Sequence, residues 1–147
     1  MELHYTIPLD PRTKKNHMRI MGTGRRCPVC GKAVRQFVSQ GKAHDTYVAQ
    51  ALKLLFPRPQ DPIQGPVRVT YHFHMQTRRR VDVTNLIATV DDLLVSAQIL
   101  DDDNSRILIH HDGTRVFHDK HNPRTEIWIR DYNEQEDPYV HPEDLHN

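Results

Sequence analysis

The stretch VRVTYHFHMQTRRRVDVTNLIATVDDLLVSAQ, residues 67–98, changes its apolar period partway along. Over 67–75, Val67, Val69, Tyr71, Phe73 and Met75 alternate with Arg68, Thr70, His72 and His74. That period of two predicts a strand with one face on a core. From residue 84 the period becomes helical. At 100° per residue from Val90, residues Leu86, Ile87, Leu93, Leu94 and Ala97 fall within about 60° of it. Thr84, Asn85, Ala88, Asp92 and Val95 fall on the other side, with Asp91 on the flank. The pattern predicts a helix over 84–98 with Thr84 as its N-cap. Val95 and Ala88, apolar on the outer face, suggest a partner subunit.

Outward from this pair, 3–8 (LHYTIP) reads as a strand stopped by Pro8 and Pro11. Residues 12–36 read as a basic hairpin with CPVC inside it. DTYVAQALKLLF, 45–56, has helical spacing and ends at Pro57, Pro59 and Pro62. Further strands are expected near 106–110, 114–118 and 125–130. The order predicts an α+β fold: a small mixed or antiparallel sheet with two main helices packed on it. At 147 residues the chain suits one domain, 1–133, followed by an acidic tail, 134–147, read as disordered. No apolar run approaches the roughly 20 residues of a membrane helix, and the N-terminus has no apolar signal core. A soluble, cytoplasmic protein is expected.

The net charge of +1 hides a split. Residues 1–80 carry 15 Lys/Arg against 4 Asp/Glu, and residues 81–147 carry 5 against 15. A basic half suggests a polyanionic partner. The tail accounts for some of the acids. Asp82 and Asp101 to Asp103 lie elsewhere, on either side of the second helix.

Two-metal phosphodiester chemistry needs carboxylates converging on divalent ions about 4 Å apart, and hard oxygen ligands suit Mg²⁺. Asp82 follows a strand and opens a helix, and Asp101 to Asp103 follow that helix. About 14 helical residues span roughly 21 Å, so a return loop must bring the second cluster back. The competing reading is structural: Asp82 as a charge favoured by the helix dipole, Asp101 to Asp103 as a solvated turn. Arg78, Arg79 and Arg80, two residues before Asp82, would set phosphate clamps beside a metal ligand.

These residues resemble the RusA-type Holliday-junction resolvases, phage-associated endodeoxyribonucleases. That family's core runs basic-Asp-x-Asp-Asn, a helix with a lysine and a D-A-L-like turn, then an aspartate pair before a short strand. Here it is matched by RRR-V-D-V-T-N, A-T-V-D-D-L-L and I-L-D-D-D-N-S-R-I. TIPLDPRTKKNH and QFVSQGKAHDTYVAQA are similar to the family's earlier segments, so the resemblance covers about residues 3–130. It implies a RusA-like fold and Mg²⁺-dependent hydrolysis, with Mn²⁺ as a possible substitute. A homodimer would cut paired strands of a four-way DNA junction, leaving 5′-phosphates and 3′-hydroxyls. It places Asp82 and Asp103 as catalytic aspartates, Asp102 beside Asp103 in the pair, and Asn85 at the family's asparagine. Asp82, Asp102 and Asp103 would bind metal, and Thr84 or Asn85 would orient water or a ligand. Lys14, Lys15, Arg78, Arg79, Arg80 and Lys120 would grip DNA. Two positions depart from the pattern: Thr84 stands at the second aspartate and Ala88 at the helix lysine. The metal site then leans on Asp102, and the arginines or Lys14 and Lys15 must supply the missing cation.

Cys27 and Cys30 form half of a zinc-ligand pattern, with His17, His44 or a second subunit as possible completions. Free thiols at a hairpin turn, or a redox pair, are the alternatives. His110, His111, His118 and His121 match no metal-site spacing and read as surface polar positions. Trp128 reads as sheet packing or a dimer contact. Ser39, His44 and Asp45 lack nucleophile-elbow glycines and carry no triad reading. Two rivals to the nuclease follow: a catalytically impaired DNA-binding protein of the same fold, and a zinc-linked interaction protein.

Overall fold

The computed structural model describes residues 1–13, 18–39 and 42–145. Lys14, Lys15 and His17 lie outside the described residues. The elements run β1 (Glu2–Ile7), β2 (Met18–Arg26), β3 (Ala33–Ser39), α1 (Lys42–Leu54), β4 (Val67–Met75), α2 (Val83–Ser96), β5 (Leu108–His110), β6 (Arg115–His118) and β7 (Arg124–Asp131). The five-stranded sheet has the order β1-β7-β4-β5, and β6 also pairs with β4. β7 is antiparallel to both β1 and β4; β5 and β6 are parallel to β4. β2 and β3 form a separate antiparallel hairpin. The fold is α+β, a mixed sheet with two helices.

β4 runs through the middle because its alternation suits that place. Val67, Val69, Tyr71, Phe73 and Met75 are all buried, while Arg68 is exposed and Thr70, His72 and His74 are half-buried. Leu86, Val90, Leu93, Leu94 and Ala97 of the second helix join them in the core, with Tyr47, Ala51 and Leu55 from the first helical segment and Tyr5, Ile7, Ile127 and Ile129 from the outer strands. Leu55 lies just past the end of α1. Burying such side chains is worth about 1.5–3 kcal/mol each, so core formation fixes both helices on one face.

Several boundaries differ from the sequence reading. The N-cap of α2 is Asp82, not Thr84. Its Oδ1 accepts from the Thr84 amide at 3.1 Å and from the Thr84 hydroxyl at 2.5 Å. A carboxylate satisfies an orphan amide there and complements the dipole, so it outcompetes a hydroxyl two residues later. α2 ends where Gln98 takes a left-handed φ of 58° and the Ile99 amide reaches back to Leu94 O at 3.0 Å. Ile87 and Val95 are half-buried against the core, while Ala88 is exposed. Residues 134–147, expected as a disordered tail, contain two 3-10 turns among the described residues, Glu134–Glu136 and Pro142–Asp144. The Tyr132 hydroxyl donates to Asp137 at 2.8 Å and ties the first turn to the end of β7. No helix among the described residues is long and apolar enough to cross a membrane.

Candidate active site

β1 and β4 point the same way, because both are antiparallel to β7. Their C-terminal ends therefore share one edge of the sheet. The Gln76 amide, just past β4, donates to Asp10 Oδ1 at 2.9 Å, and Asp10 pairs with Arg12 at 3.8 Å. The turn carrying Lys120 is tied to the same edge. The Asp119 amide donates to Met75 O at 2.9 Å, and Asp119 accepts from His121, Asn122 and Arg124. Those donors hold the Asp119 carboxyl below its ordinary range, against the opposing effect of its partial burial. Arg78, Arg79, Arg80 and Lys120 are exposed, and none of them is ion-paired among the described residues. The sheet thus brings the arginine run, Lys120, Asp82 and the start of the basic hairpin to one end. Thr84 and Asn85 open α2 there. The buried Nδ2 of Asn85 finds no acceptor among the described residues.

Asp101 to Asp103 enter from the opposite end. Leu100 bridges to Ile63, and the Asp101 amide donates to Ile63 O at 2.9 Å. Asp102 then organises the loop. It accepts from the Asp103 amide and from Asn104 Nδ2, each at 2.8 Å. Asn104 in turn accepts from Arg106, Ile107 and Leu108 amides. The two neighbouring carboxyls are driven apart. Hydrogen bonds from Asn104 and the Asp103 amide lower Asp102. Partial burial, then the charge of Asp102, raise Asp103, with Asp91 adding to the effect.

Asp91 places that loop along the helix. It sits nine residues past Asp82, roughly 14 Å of helical rise, yet within electrostatic reach of Asp103. Asp91 is largely buried. It accepts from the Tyr71 hydroxyl at 2.6 Å, and its two oxygens lie 2.9 and 3.0 Å from His111 Nε2. Tyr71 is pushed well above the usual phenol range, first by burial, then by the charges of Asp91 and Asp103. Sequence reasoning set Asp91 on a flank and read His111 as surface; the structure joins them in a partly buried pair. Only the flank position of Asp91 hinted at this.

The structure does not gather Asp82, Asp102 and Asp103 into one group. Among the described residues no three His, Cys, Asp or Glu side chains stand close enough to share an ion. Asp82 caps the start of α2, whereas Asp103 follows the helix and acts electrostatically with Asp91, nine residues past Asp82. Mg²⁺ itself commonly takes one or two protein carboxylates and fills its octahedron with water and phosphate oxygens. Asp103 suits that use, since the charged neighbours acting on it are acidic and a cation would relieve all of them.

The thiols sit apart from this site, at the tip of the β2–β3 hairpin. The Cys27 amide donates to Lys32 O at 2.8 Å and the Gly31 amide to Cys27 O at 2.9 Å. Backbone amides of Cys30 and Val29 lower the Cys27 thiol. No third ligand joins the pair among the described residues.

A protein-family model described as Endodeoxyribonuclease RusA matches residues 8–130. No curated protein matches the chain.

Proposed function

The chain belongs to the endodeoxyribonuclease RusA family, and from that premise we propose that it is a divalent-metal-dependent nuclease that resolves four-way DNA junctions. The observation that carries this reading is the family match over residues 8–130, with the hydrogen-bonded Asp102–Asp103 loop beside it. Asp103, with Asp102, would hold the ion. When bound, Mg²⁺ would offset charge on the scissile phosphate and on the departing oxygen.

The remaining roles belong to the chain's own groups. Arg78, Arg79, Arg80 and Lys120, exposed at one end of the sheet, would hold DNA phosphates largely without reading sequence. Lys14 and Lys15, outside the described residues, would extend that grip from the neighbouring segment. Asp82 stands at the arginine-bearing end. Its proposed part narrows to fixing the start of α2, so that the exposed Thr84 meets the DNA in a set orientation, with Asn85 behind it. A homodimer would present two such sites to a junction of near two-fold symmetry.

The deciding experiment is cleavage of a synthetic four-way junction with Mg²⁺ or Mn²⁺, beside an Asp103→Asn variant. Paired nicks from the wild type and none from the variant support the reading. Tight junction binding without nicks from either protein overturns it in favour of an impaired binder. Thr84 and Ala88, where the resemblance expects an aspartate and a lysine, are the positions that would explain such a loss.

A further inference from the structure

His111 and Asp91 form a dyad that family membership does not assign. His111 follows β5 directly. Both Asp91 oxygens lie within hydrogen-bond distance of its Nε2, at 2.9 and 3.0 Å. An ionised carboxylate can only accept, so Nε2 carries the proton and Nδ1 is left as the acceptor. The ring is held edge-on to Tyr71, with centroids 5.6 Å apart, and its side chain remains 27% exposed. Tyr71 closes the arrangement from beneath, donating to Asp91 Oδ1 at 2.6 Å. An imidazole with one nitrogen fixed by a largely buried carboxylate, on a side chain that stays partly exposed, is the arrangement a general base needs.

We propose that His111 is the general base of the hydrolysis, and that Asp91 is its positioning residue. The proposal rests on the nuclease reading above. In the step, His111 Nδ1 takes a proton from water as that water's oxygen bonds to phosphorus. The bond from phosphorus to the 3′-oxygen breaks, and the 3′-oxygen takes a proton from solvent. The products are a 5′-phosphate and a 3′-hydroxyl. The imidazolium, held by Asp91, returns its proton to solvent before the next turnover. The acidic loop leads straight to His111: Asn104 O accepts from the Ile107 and Leu108 amides, β5 follows, and His111 comes directly after it. The charges of Asp91 and Asp103 both act on Tyr71.

The groups facing His111 are Asp91 from α2 and Tyr71 from β4. His110 turns to the opposite face of the sheet, where its Nδ1 meets Asp112 at 3.8 Å.

The test is single-turnover cleavage of a four-way junction across about pH 5 to 8, where an imidazole titrates. It compares wild type, His111→Gln and Asp91→Asn, with junction binding and melting temperature measured on each. The wild-type rate is expected to rise along one acidic limb. His111→Gln should lose about 10²- to 10⁴-fold in rate, lose the limb, keep junction binding, and regain part of its rate with added imidazole. Asp91→Asn should lower the maximal rate at unchanged junction affinity. A folded His111→Gln that cleaves within a few-fold of wild type overturns the proposal and leaves the nuclease reading standing. A wild-type profile without a limb in that range also overturns it, whatever the variants do. A wild type that binds junctions and never cleaves removes both readings together.

Discussion

The Tyr71 hydroxyl donates to Asp91 Oδ1 at 2.6 Å, across the interface between the central strand and the second helix. Tyr71 is fully buried, so the bond is made where water cannot replace it. Tyr71→Phe would leave a carboxylate short of one donor at a cost of about 1–3 kcal/mol. Chemical denaturation, with an unchanged slope, is the measurement.

The same phenol predicts how the fold fails in alkali. Burial and acidic neighbours raise Tyr71 well above its ordinary value, and burial raises Tyr47 to about 12. In the unfolded chain both would ionise near pH 10. The folded protein therefore holds protons that the unfolded chain releases. The stability these groups contribute is complete below about pH 10 and is lost as pH rises beyond it, by roughly 1.4 kcal/mol per unit for each group. Urea midpoints measured on either side of pH 10 should fall more steeply in wild type than in Tyr71→Phe.

Asp103→Asn should separate activity from stability. The raised Asp103 carboxyl binds its proton more tightly in the folded state, so its charge opposes folding above the unfolded carboxylate range. Removing that charge should leave the melting temperature equal to or above the wild type's in metal-free buffer at neutral pH. Cleavage should drop by at least about 100-fold. A variant that loses activity and melts lower would mean that the loop had collapsed.

Gly65 holds the acidic loop in place from below. Its φ is +78°, and an added Cβ would stand 2.6 Å from Ile107 Cα and 2.8 Å from Ile107 O, both backbone atoms. Neither strain nor clash can relax through a side chain. Gly65→Ala should cost on the order of 3 kcal/mol. It should also depress cleavage in the fraction that remains folded, because Ile107 ends the loop carrying Asp103. Calorimetry and junction cleavage on one preparation check both.

Replacing Arg78, Arg79 and Arg80 together by alanine should weaken junction binding nearly equally across sequences. If all three meet phosphates, the slope of log affinity against log salt should shrink by about 2–3. Binding titrations at several salt concentrations give that slope.

Thr84→Asp would set a second acid beside the Asp82 cap. It would also remove the 2.5 Å hydroxyl contact to Asp82. The variant should melt below wild type without metal and gain more from added Mg²⁺, since an ion bound only by the folded state stabilises it by mass action. Melting curves with and without Mg²⁺ measure the difference.

Much of this architecture is legible along the chain because it depends on local order. The alternation of Val67 to Met75 and the spacing of Leu86 to Ala97 each report which side faces a core, and the structure keeps both. Capping is less legible: Asp82 and Thr84 both suit a helix start, and the carboxylate prevails because it can accept from the amide and the hydroxyl together. The sequence by itself determined the elements, the charge split and the arginines before Asp82, for these follow from neighbouring residues. Only the tertiary structure decided which acids meet. Asp91 finds Tyr71 and His111, each twenty residues away in opposite directions along the chain. Periodicity records that a residue lies on a flank, but the partner on that flank is set by how the helix lies across the strand. The same packing keeps Asp82 at the start of α2 and sets Asp103 within electrostatic reach of Asp91, because the loop after the helix folds back on its own hydrogen bonds.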